Sequence, residues 1–208
     1  MARTRVKICG IVNEAGRDAA LEAGADAVGF VLAEGSPRTI GFSKAITLAT
    51  EVPPFVTPVA VTRDQPVDLL QDWPYATMQV HGQEDEAYLT RLCERRPDAV
   101  IIRAISFSAA ALERWAKCDA VSAVLVDGPN PGSGEPIDHA ALAQAVANYP
   151  KRLILAGGLT AENVAGAIDT VRPWAVDVSS GVEQEKGKKD PERIRAFCSA
   201  VRAVDEGR

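Results

Sequence analysis

A cysteine and an aspartate each end a short apolar segment, where a reactive side chain can meet a ligand. Cys9 ends the segment 6–9 and Asp127 ends the segment 123–127. A thiolate can accept a proton and a protonated carboxyl group can donate one, so the two side chains could carry out general acid–base chemistry. The pKa of a free cysteine is ~8.5, so a thiolate base needs a nearby positive charge. Lys7 could supply it, because alternate residues of a strand face the same side.

Taken alone, Cys9 also fits a small buried hydrophobic residue. We expect that role for Cys93, Cys118 and Cys198, which lie in segments of helical spacing. The four cysteines have neither CxxC pairs nor the spacing of a metal site, and the chain contains only two histidines. We therefore expect reduced thiols in a cytoplasmic protein, with no metal and no other cofactor.

Two glycine-rich segments each come directly after an apolar strand, and both are typical of phosphate sites. The first, LILAGGLTAENV (153–164), contains Gly157 and Gly158, and the second, VDVSSGVE (176–183), contains Ser179, Ser180 and Gly181. Glycines let a ligand approach the backbone, and the amides at a helix start attract anions. A tight turn alone would explain one glycine pair, but two such segments favour a phosphate group.

Eight short, nearly continuous apolar segments alternate with eight segments of helical spacing. The predicted strands are 6–9, 27–32, 57–62, 77–81, 99–105, 123–127, 152–157 and 175–180. The predicted helices are 13–24, 43–52, 66–73, 84–96, 108–118, 138–149, 160–171 and 190–204. This alternation predicts an α/β fold, and the count of eight favours a closed (β/α)8 TIM barrel over an open doubly wound sheet. We expect one domain over residues 1–208, with the active site at the carboxyl ends of the strands.

Local signals refine this map. Asp138, Thr160 and Asp190 are predicted N-caps, with Pro191 at the first position of the last helix. The proline- and glycine-rich segment 128–136 is predicted to be a functional loop after the sixth strand. The charged segment 183–193 is predicted to be a solvated connection, and Arg103 on the fifth strand is a further candidate for the site.

Composition limits the possible partners. The formal net charge of −5 argues against nucleic acid, which favours a basic face. The sequence contains no apolar run near the ~20 residues of a membrane span, and its start does not resemble a signal peptide. A small-molecule ligand is therefore expected, with the chain present as a monomer or a homodimer.

Several motifs, taken together with Asp127, resemble those of the phosphoribosylanthranilate isomerase family, which catalyses the Amadori rearrangement of tryptophan biosynthesis. They are KICG (7–10), GFV (29–31), SPR (36–38), QVHG (79–82), LAGGLTAENV (155–164) and VDVSSGVE (176–183). The resemblance runs from Lys7 to about Val201. It implies a TIM barrel, a phosphosugar–anthranilate substrate and phosphate binding at the two glycine-rich segments.

The resemblance implies that Cys9 is the general base and Asp127 the general acid. Asp127 would protonate the furanose ring oxygen and open the ring to a Schiff base. Cys9 would then remove the proton at C2, and the enolamine would tautomerise to the 1-deoxyribulose ketone.

The resemblance also implies substrate-binding residues. Arg38 would hold the anthranilate carboxylate through its guanidinium fork, although a lone loop arginine is usually a surface residue. Asp177 alternates with Ser179 and would face inward, where it could contact the anthranilate amine or orient the substrate. His81 could bind substrate or only hydrogen-bond a neighbouring loop.

The chain departs from the family pattern after the second and sixth strands. Residues 129–139 stand where the family has a longer Gly-Gly-Thr-Gly run before Phe-Asp-Trp, and residues 32–35 replace an aromatic-proline-lysine lead. Both loops would cover the anthranilate end of the substrate. The departures therefore bear on affinity and rate, and they leave open a diverged enzyme with another phosphosugar substrate.

Two other classes of protein also remain open. A pentose-phosphate epimerase on the same barrel would need a metal-binding set of histidines and acids, which His81 and His139 fit poorly. An indole-forming synthase would need a catalytic lysine and glutamate, for which Lys7 alone is not enough. A barrel that only binds phosphosugars would need neither Cys9 nor Asp127.

Overall fold

Eight parallel strands close into a barrel in chain order, and each is followed by a helix. The computed structural model describes residues 3–128 and 137–207. The barrel strands are β1 (Arg5–Cys9), β2 (Ala27–Val31), β3 (Thr57–Thr62), β4 (Thr77–Val80), β5 (Val100–Ser106), β6 (Val121–Asp127), β7 (Arg152–Leu155) and β8 (Ala175–Val178). The helices are α1 (Glu14–Glu22), α2 (Phe42–Thr50), α3 (Val67–Gln71), α4 (Glu86–Arg95), α5 (Ala109–Ala116), α6 (His139–Val146), α7 (Val164–Val171) and α8 (Pro191–Glu206). The predicted TIM barrel is confirmed.

Two hydrophobic layers explain why the strands are apolar almost throughout. One layer packs the outer face of the barrel against the helices and includes Ile8, Val28, Phe30 and Val124. The other fills the barrel interior with small and branched side chains, among them Val59, Ile102, Leu125 and Ile154. Because both faces of each strand are buried, nearly every strand residue must be apolar unless it is paired or carries chemistry.

The helix starts confirm two of the three predicted N-caps. The Asp138 carboxylate accepts hydrogen bonds from the first turn of α6, and Asp190 does the same for α8, in which Pro191 is the first residue. The prediction for Thr160 is wrong, because α7 begins at Val164 after Asn163. The side chain of Asn163 binds back to the loop, accepting from the Thr160 amide and donating to the Gly158 carbonyl. This leaves residues 161–163 as a turn.

The charged segment 183–193 is not the solvated connection that the sequence predicts. It contains an antiparallel hairpin of β9 (Glu183–Glu185) and β10 (Lys188–Lys189). Glu183 and Lys189 are opposite each other in the hairpin, and both are buried. Glu185 and Lys188 form the next pair, which is exposed. The hairpin therefore turns one charged pair toward the barrel and the other toward solvent.

Strand direction decides which charged side chains face the interior. Arg103 on β5 is excluded from the site, because it pairs with Glu84 and stacks on the Trp115 ring of α5, at 4.8 Å from its centroid.

No helix in the described part of the chain is long and apolar enough to cross a membrane.

Candidate active site

The cysteine and aspartate chosen from the sequence line one cavity at the carboxyl end of the barrel. The cavity has a volume of about 100 Å³, and Arg38, His81 and Asp177 line it with Cys9 and Asp127. β1 and β6 carry the two candidate catalytic groups, with β7 and β8 between them on one side and β2 to β5 on the other. The two groups therefore approach a bound molecule from different directions.

Lys7 and Asp177 form a buried ion pair beneath Cys9. Lys7 and Asp177 are register partners of β1 and β8, and Lys7 Nζ donates to Asp177 Oδ1 at 2.8 Å. Burial opposes the charge of Lys7, but the carboxylate of Asp177 outweighs it and raises the pKa of the ammonium. Lys7 therefore stays protonated near the thiol.

The electrostatics of Cys9 are more balanced than the sequence suggests. Burial raises the pKa of the Cys9 thiol above its ordinary value, the charge of Lys7 lowers it, and the charge of Asp177 raises it again. The charge of Lys7 therefore favours the thiolate, but the net shift of the Cys9 pKa is upward. A thiolate in this site needs the Lys7 charge simply to offset burial.

A glycine on the neighbouring strand makes room for this arrangement. Gly29 is the register partner of Cys9, and a Cβ at Gly29 would lie 2.9 Å from Cys9 Sγ and 3.2 Å from Lys7 Nζ. A larger residue would push the thiol and the ammonium from their positions. The GFV motif therefore has a steric reason to contain a glycine.

Arg38 lines the cavity but is held from behind by an unpredicted acid. Its Nε and Nη2 donate to the two oxygens of Glu183 at 2.8 and 2.9 Å. Lys189 Nζ donates to Glu183 Oε1 at 2.8 Å, so one carboxylate is shared by two cations. Burial opposes the charge of Glu183, but the Arg38 hydrogen bond and Lys189 outweigh it and lower the pKa of its carboxyl group.

Two polar atoms lie buried in the cavity region without a hydrogen-bond partner in the described part of the chain. They are His81 Nε2 and Gln79 Oε1, both from the QVHG segment. His81 Nε2 is 3.9 Å from Asp127 Oδ2, too far for a hydrogen bond. Burial, helped by the charge of Arg63, lowers the pKa of His81 to about 4, so the imidazole is neutral at neutral pH. Both residues line the cavity of about 100 Å³.

The two glycine-rich loops meet at a second, adjoining cavity of about 50 Å³. Gly157, Gly158, Ser179 and Ser180 line it, and it shares Asp127 and Asp177 with the first cavity. Gly157 and Gly158 have φ values of 85° and 64°, which favour glycine. A Cβ on Gly181 would overlap the carbonyl oxygen of Leu159, so the β8 loop can lie against the β7 loop only if this residue is glycine.

The structure brings together most of the residues predicted for the site. Cys9, Arg38, His81, Asp127 and Asp177 line one cavity at the carboxyl end, and Gly157, Gly158, Ser179 and Ser180 line the cavity beside it. Lys7 lies beneath Cys9 in its pair with Asp177 and lines a cavity at the opposite end of the barrel, whereas Arg103 is not part of the site. Sequence reasoning missed Glu183 and Lys189, while Gln79 lies with His81 at the end of the fourth strand, where the sequence places candidates for the site. The glutamate that ends VDVSSGVE was the signal for the first of these. The predicted loop 128–136 lies, beyond Gly128, outside the described residues.

A cluster of metal ligands is absent from the described ranges. Within residues 3–128 and 137–207, no three histidine, cysteine, aspartate or glutamate side chains are grouped to hold a metal ion.

Comparison with known proteins identifies the family of this chain. Residues 6–200 match the model of the family described as N-(5'-phosphoribosyl)anthranilate (PRA) isomerase. The chain is 46% identical over 207 residues to the N-(5'-phosphoribosyl)anthranilate isomerase of Chromohalobacter salexigens, covering 97% of this chain and 95% of the relative.

Solved structures agree in fold. The phosphoribosyl anthranilate isomerase of Thermus thermophilus has a TM-score of 0.87 at 35% identity, covering 97% of this chain and 100% of that one. A phosphoribosyl anthranilate isomerase solved with reduced 1-(o-carboxyphenylamino)-1-deoxyribulose 5-phosphate has a TM-score of 0.83 at 35% identity, covering 96% and 99%. Monomers generated from the dimeric Thermotoga maritima enzyme have a TM-score of 0.82 at 33% identity, covering 96% and 99%.

Proposed function

This chain belongs to the N-(5'-phosphoribosyl)anthranilate isomerase family and catalyses that isomerisation in tryptophan biosynthesis, and we propose that Cys9 is its general base and Asp127 its general acid. The observation that carries this assignment is their convergence on one cavity beside the phosphate loops. Among the described residues, Cys9 is the one cysteine that lines that cavity.

In the proposed mechanism, Asp127 donates a proton to the ring oxygen of the ribose. The C1–O bond breaks, and the nitrogen lone pair forms the C1=N bond of a Schiff base. Cys9 then removes the proton from C2, and the electron pair of that C–H bond forms C1=C2 as the nitrogen regains its lone pair. Protonation at C1, with loss of the proton from the C2 hydroxyl group as its C=O bond forms, gives the ketone. Lys7 favours the thiolate that takes the proton, since its ammonium is held near Cys9 by Asp177.

The remaining roles concern binding. Arg38 is proposed to bind the anthranilate carboxylate, supported by its position in the cavity wall. Asp177 lines both cavities and is proposed to orient the substrate between them. The unpartnered Nε2 of His81 supports its binding to a polar group of the substrate. The phosphate is proposed to lie against Gly157, Gly158, Ser179, Ser180 and Gly181.

The reaction can be followed through the fluorescence of the anthranilate group. Purified protein should remove the fluorescence of phosphoribosylanthranilate in buffer containing a chelator and no added metal, with the 1-deoxyribulose product appearing in equal amount. Tight binding of the phosphate ester without turnover would contradict catalysis. Activity that is lost in the chelator would contradict a mechanism run by side chains alone.

We also propose that the opposite end of the barrel associates with a second copy of the chain. Phe55, in the loop between α2 and β3, is 102% exposed relative to a free residue and has a left-handed φ of 76°. It lines a cavity of about 300 Å³ together with Val100, Ile102 and Trp174. The protruding Phe55 side chain and the largely apolar cavity lie on the same face. Under a two-fold axis, the Phe55 of each copy can therefore enter the cavity of the other.

Light scattering of the purified protein tests this association. The wild type should have the mass of two chains at micromolar concentration, and Phe55→Ser should have the mass of one. Glu185→Gln, an exposed substitution elsewhere, is the control and should leave the mass unchanged. A wild type that remains a monomer contradicts the association without affecting the proposed mechanism.

A cytoplasmic location is proposed as well. It is supported by the four free cysteines, none of which forms a disulfide in the described structure.

A further inference from the structure

We propose that Glu183 and Lys189 are positioning residues, which hold Arg38 ready for the carboxylate of the substrate's aromatic ring. The inference rests on the proposed function, in which Arg38 binds that carboxylate. It gives a role to the buried charged pair of the β9–β10 hairpin, which has no part in the proposed phosphate binding or proton transfer.

Glu183 fixes the plane of the Arg38 guanidinium. Both of its oxygens are used, one by Nε and the other by Nη2, which is the two-point geometry that orients an arginine fork. Nη1 lies outside this pair and is the nitrogen left for a ligand. The Glu183 side chain is only 3% exposed, so water does not compete for this contact.

Lys189 gives the cluster its net charge. An Arg38–Glu183 pair alone would be neutral and would offer little attraction to an anion. The Lys189 ammonium, 2% exposed and 2.8 Å from Glu183 Oε1, adds a second cation to the same carboxylate. Two cations around one anion leave one unbalanced positive charge, which a ligand carboxylate can offset.

Lys189 also ties the cluster to the reacting end of β1. Its Nζ donates to the carbonyl oxygen of Ser179 at 3.0 Å and to Ser179 Oγ at 3.2 Å. Ser179 Oγ donates in turn to the carbonyl oxygen of Cys9 at 3.0 Å. The three donor positions of the ammonium are occupied by Glu183 and Ser179. Lys189 therefore acts through its neighbours and does not contact the substrate.

The hairpin also provides a matched control. Glu185 and Lys188 form the next cross-strand pair, with 3.4 Å between Oε1 and Nζ, and their side chains are 69% and 60% exposed. The side chains are of the same types as Glu183 and Lys189 and lie in the same hairpin, although the register shifts between the two pairs. The outer pair lacks the burial and the contacts with Arg38 and Ser179, so changes in it report any general effect of altering this hairpin.

The test compares two ligands on each variant. One is reduced 1-(o-carboxyphenylamino)-1-deoxyribulose 5-phosphate, and the other is the same compound without the carboxyl group. Glu183→Gln and Lys189→Met should weaken binding of the carboxylated ligand by about tenfold, as expected for a charge-assisted hydrogen bond. With Glu183→Gln, binding of the other ligand should change by less than about twofold, because that ligand makes no contact that depends on Arg38. Lys189→Met also removes the hydrogen bonds to Ser179, so for that variant the ratio of the two dissociation constants is the quantity compared.

A combined variant separates positioning from a direct role. If Glu183 acts only through Arg38, adding Glu183→Gln to Arg38→Met should cause no further loss of the carboxylated ligand. Glu183→Asp should recover part of the preference for that ligand, since it keeps the charge. Glu185→Gln and Lys188→Met should behave as wild type with both ligands.

The ratio of the two dissociation constants is insensitive to partial unfolding, because both are measured on the same folded fraction. Equal weakening of both ligands by Glu183→Gln would mean a structural role and overturn the proposal. If the wild type prefers the carboxylated ligand and Glu183→Gln keeps that preference, positioning is wrong while the proposed function stands. If the wild type shows no preference, the Arg38 assignment fails first and the inference fails with it.

Discussion

The amino and carboxyl ends of this barrel are lined by different kinds of side chain. The amino end has a cavity of about 300 Å³, with apolar strand starts and two arginines, Arg5 and Arg152, stacked on Trp174. At the carboxyl end, the adjoining cavities of about 100 and 50 Å³ are lined by ionised pairs, orphaned polar atoms and glycine loops. The chemistry of the lining, not the volume, distinguishes the two ends.

The difference shows that the side chains of a catalytic site contribute less to the stability of the fold than those elsewhere. At the amino end the cations stack on an aromatic ring and pack against apolar side chains, which stabilises the barrel without exposing unsatisfied groups. At the carboxyl end Lys7, Asp177, Arg38 and Glu183 are buried as ion pairs, an arrangement that adds little net stability because desolvation offsets the attraction. Such pairs are explained by chemistry rather than by folding.

The largest expected effect comes from removing the two proposed catalytic groups. Cys9→Ser and Asp127→Asn should each lower kcat by about 10²- to 10⁴-fold, because each removes one of the proposed proton transfers. Steady-state kinetics with phosphoribosylanthranilate measures this. Cys93→Ser, a half-buried thiol in α4, is the control and should keep wild-type turnover. A Cys9→Ser enzyme with nearly wild-type kcat would contradict the assignment of the general base to the carboxyl end.

The strand map and the inward direction of Lys7, Cys9 and Asp177 could be predicted from the sequence, because strands buried on both faces are nearly continuous and alternate with period two. The cluster around Arg38 could not. Glu183 and Lys189 were hidden in a run of charges, and only the tertiary fold separates them from the exposed Glu185 and Lys188. Thr160 failed as an N-cap for a similar reason, since the Asn163 side chain decides where α7 begins.

The next largest effect concerns the contact between the two glycine-rich loops that we propose bind the phosphate. Gly181→Ala should raise KM by about tenfold or more, because its methyl group would displace the Leu159 carbonyl and separate the loops. The chemical step should be less affected, so kcat should fall by a smaller factor.

Gly166→Ala is the matched control. Gly166 lies within α7, where an added Cβ meets nothing within 4 Å, so the change should leave KM unchanged and stabilise the helix by up to about 1 kcal/mol. If Gly181→Ala binds substrate as well as Gly166→Ala does, the loops do not form the phosphate site together.

A smaller effect is expected on the thiol itself. Lys7→Met should raise the pKa of Cys9 further, because the ammonium that opposes burial is lost and the charge of Asp177 is left unpaired. A shift of one unit would lower the thiolate fraction at neutral pH about tenfold. The pH dependence of alkylation of Cys9 by iodoacetamide measures it in a background where the other cysteines are serine. Lys188→Met controls for the loss of a surface charge, and an unchanged Cys9 pKa would remove Lys7 from the mechanism.

The smallest expected effect concerns stability in acid, which we expect to depend on His81 at the carboxyl end and not on the amino end. Burial, with the charge of Arg63, lowers the pKa of His81 from 6.5 to about 4, with Lys7 and Arg103 adding to the shift and Asp177 opposing it. Above pH 6.5 the imidazole is neutral in both the folded and unfolded states and contributes nothing to the pH dependence. Between pH 6.5 and 4 the unfolded state binds the proton more readily, so the folded state loses stability as the pH falls.

His81→Gln should therefore be more resistant to acid than the wild type, by about 1 kcal/mol of unfolding free energy at pH 5.5 relative to pH 7. Urea unfolding at the two pH values gives this difference. Arg152→Gln, at the amino end, is the control and should shift stability equally at both pH values. If His81→Gln loses as much stability in acid as the wild type, the acid sensitivity of the barrel does not lie at its catalytic end.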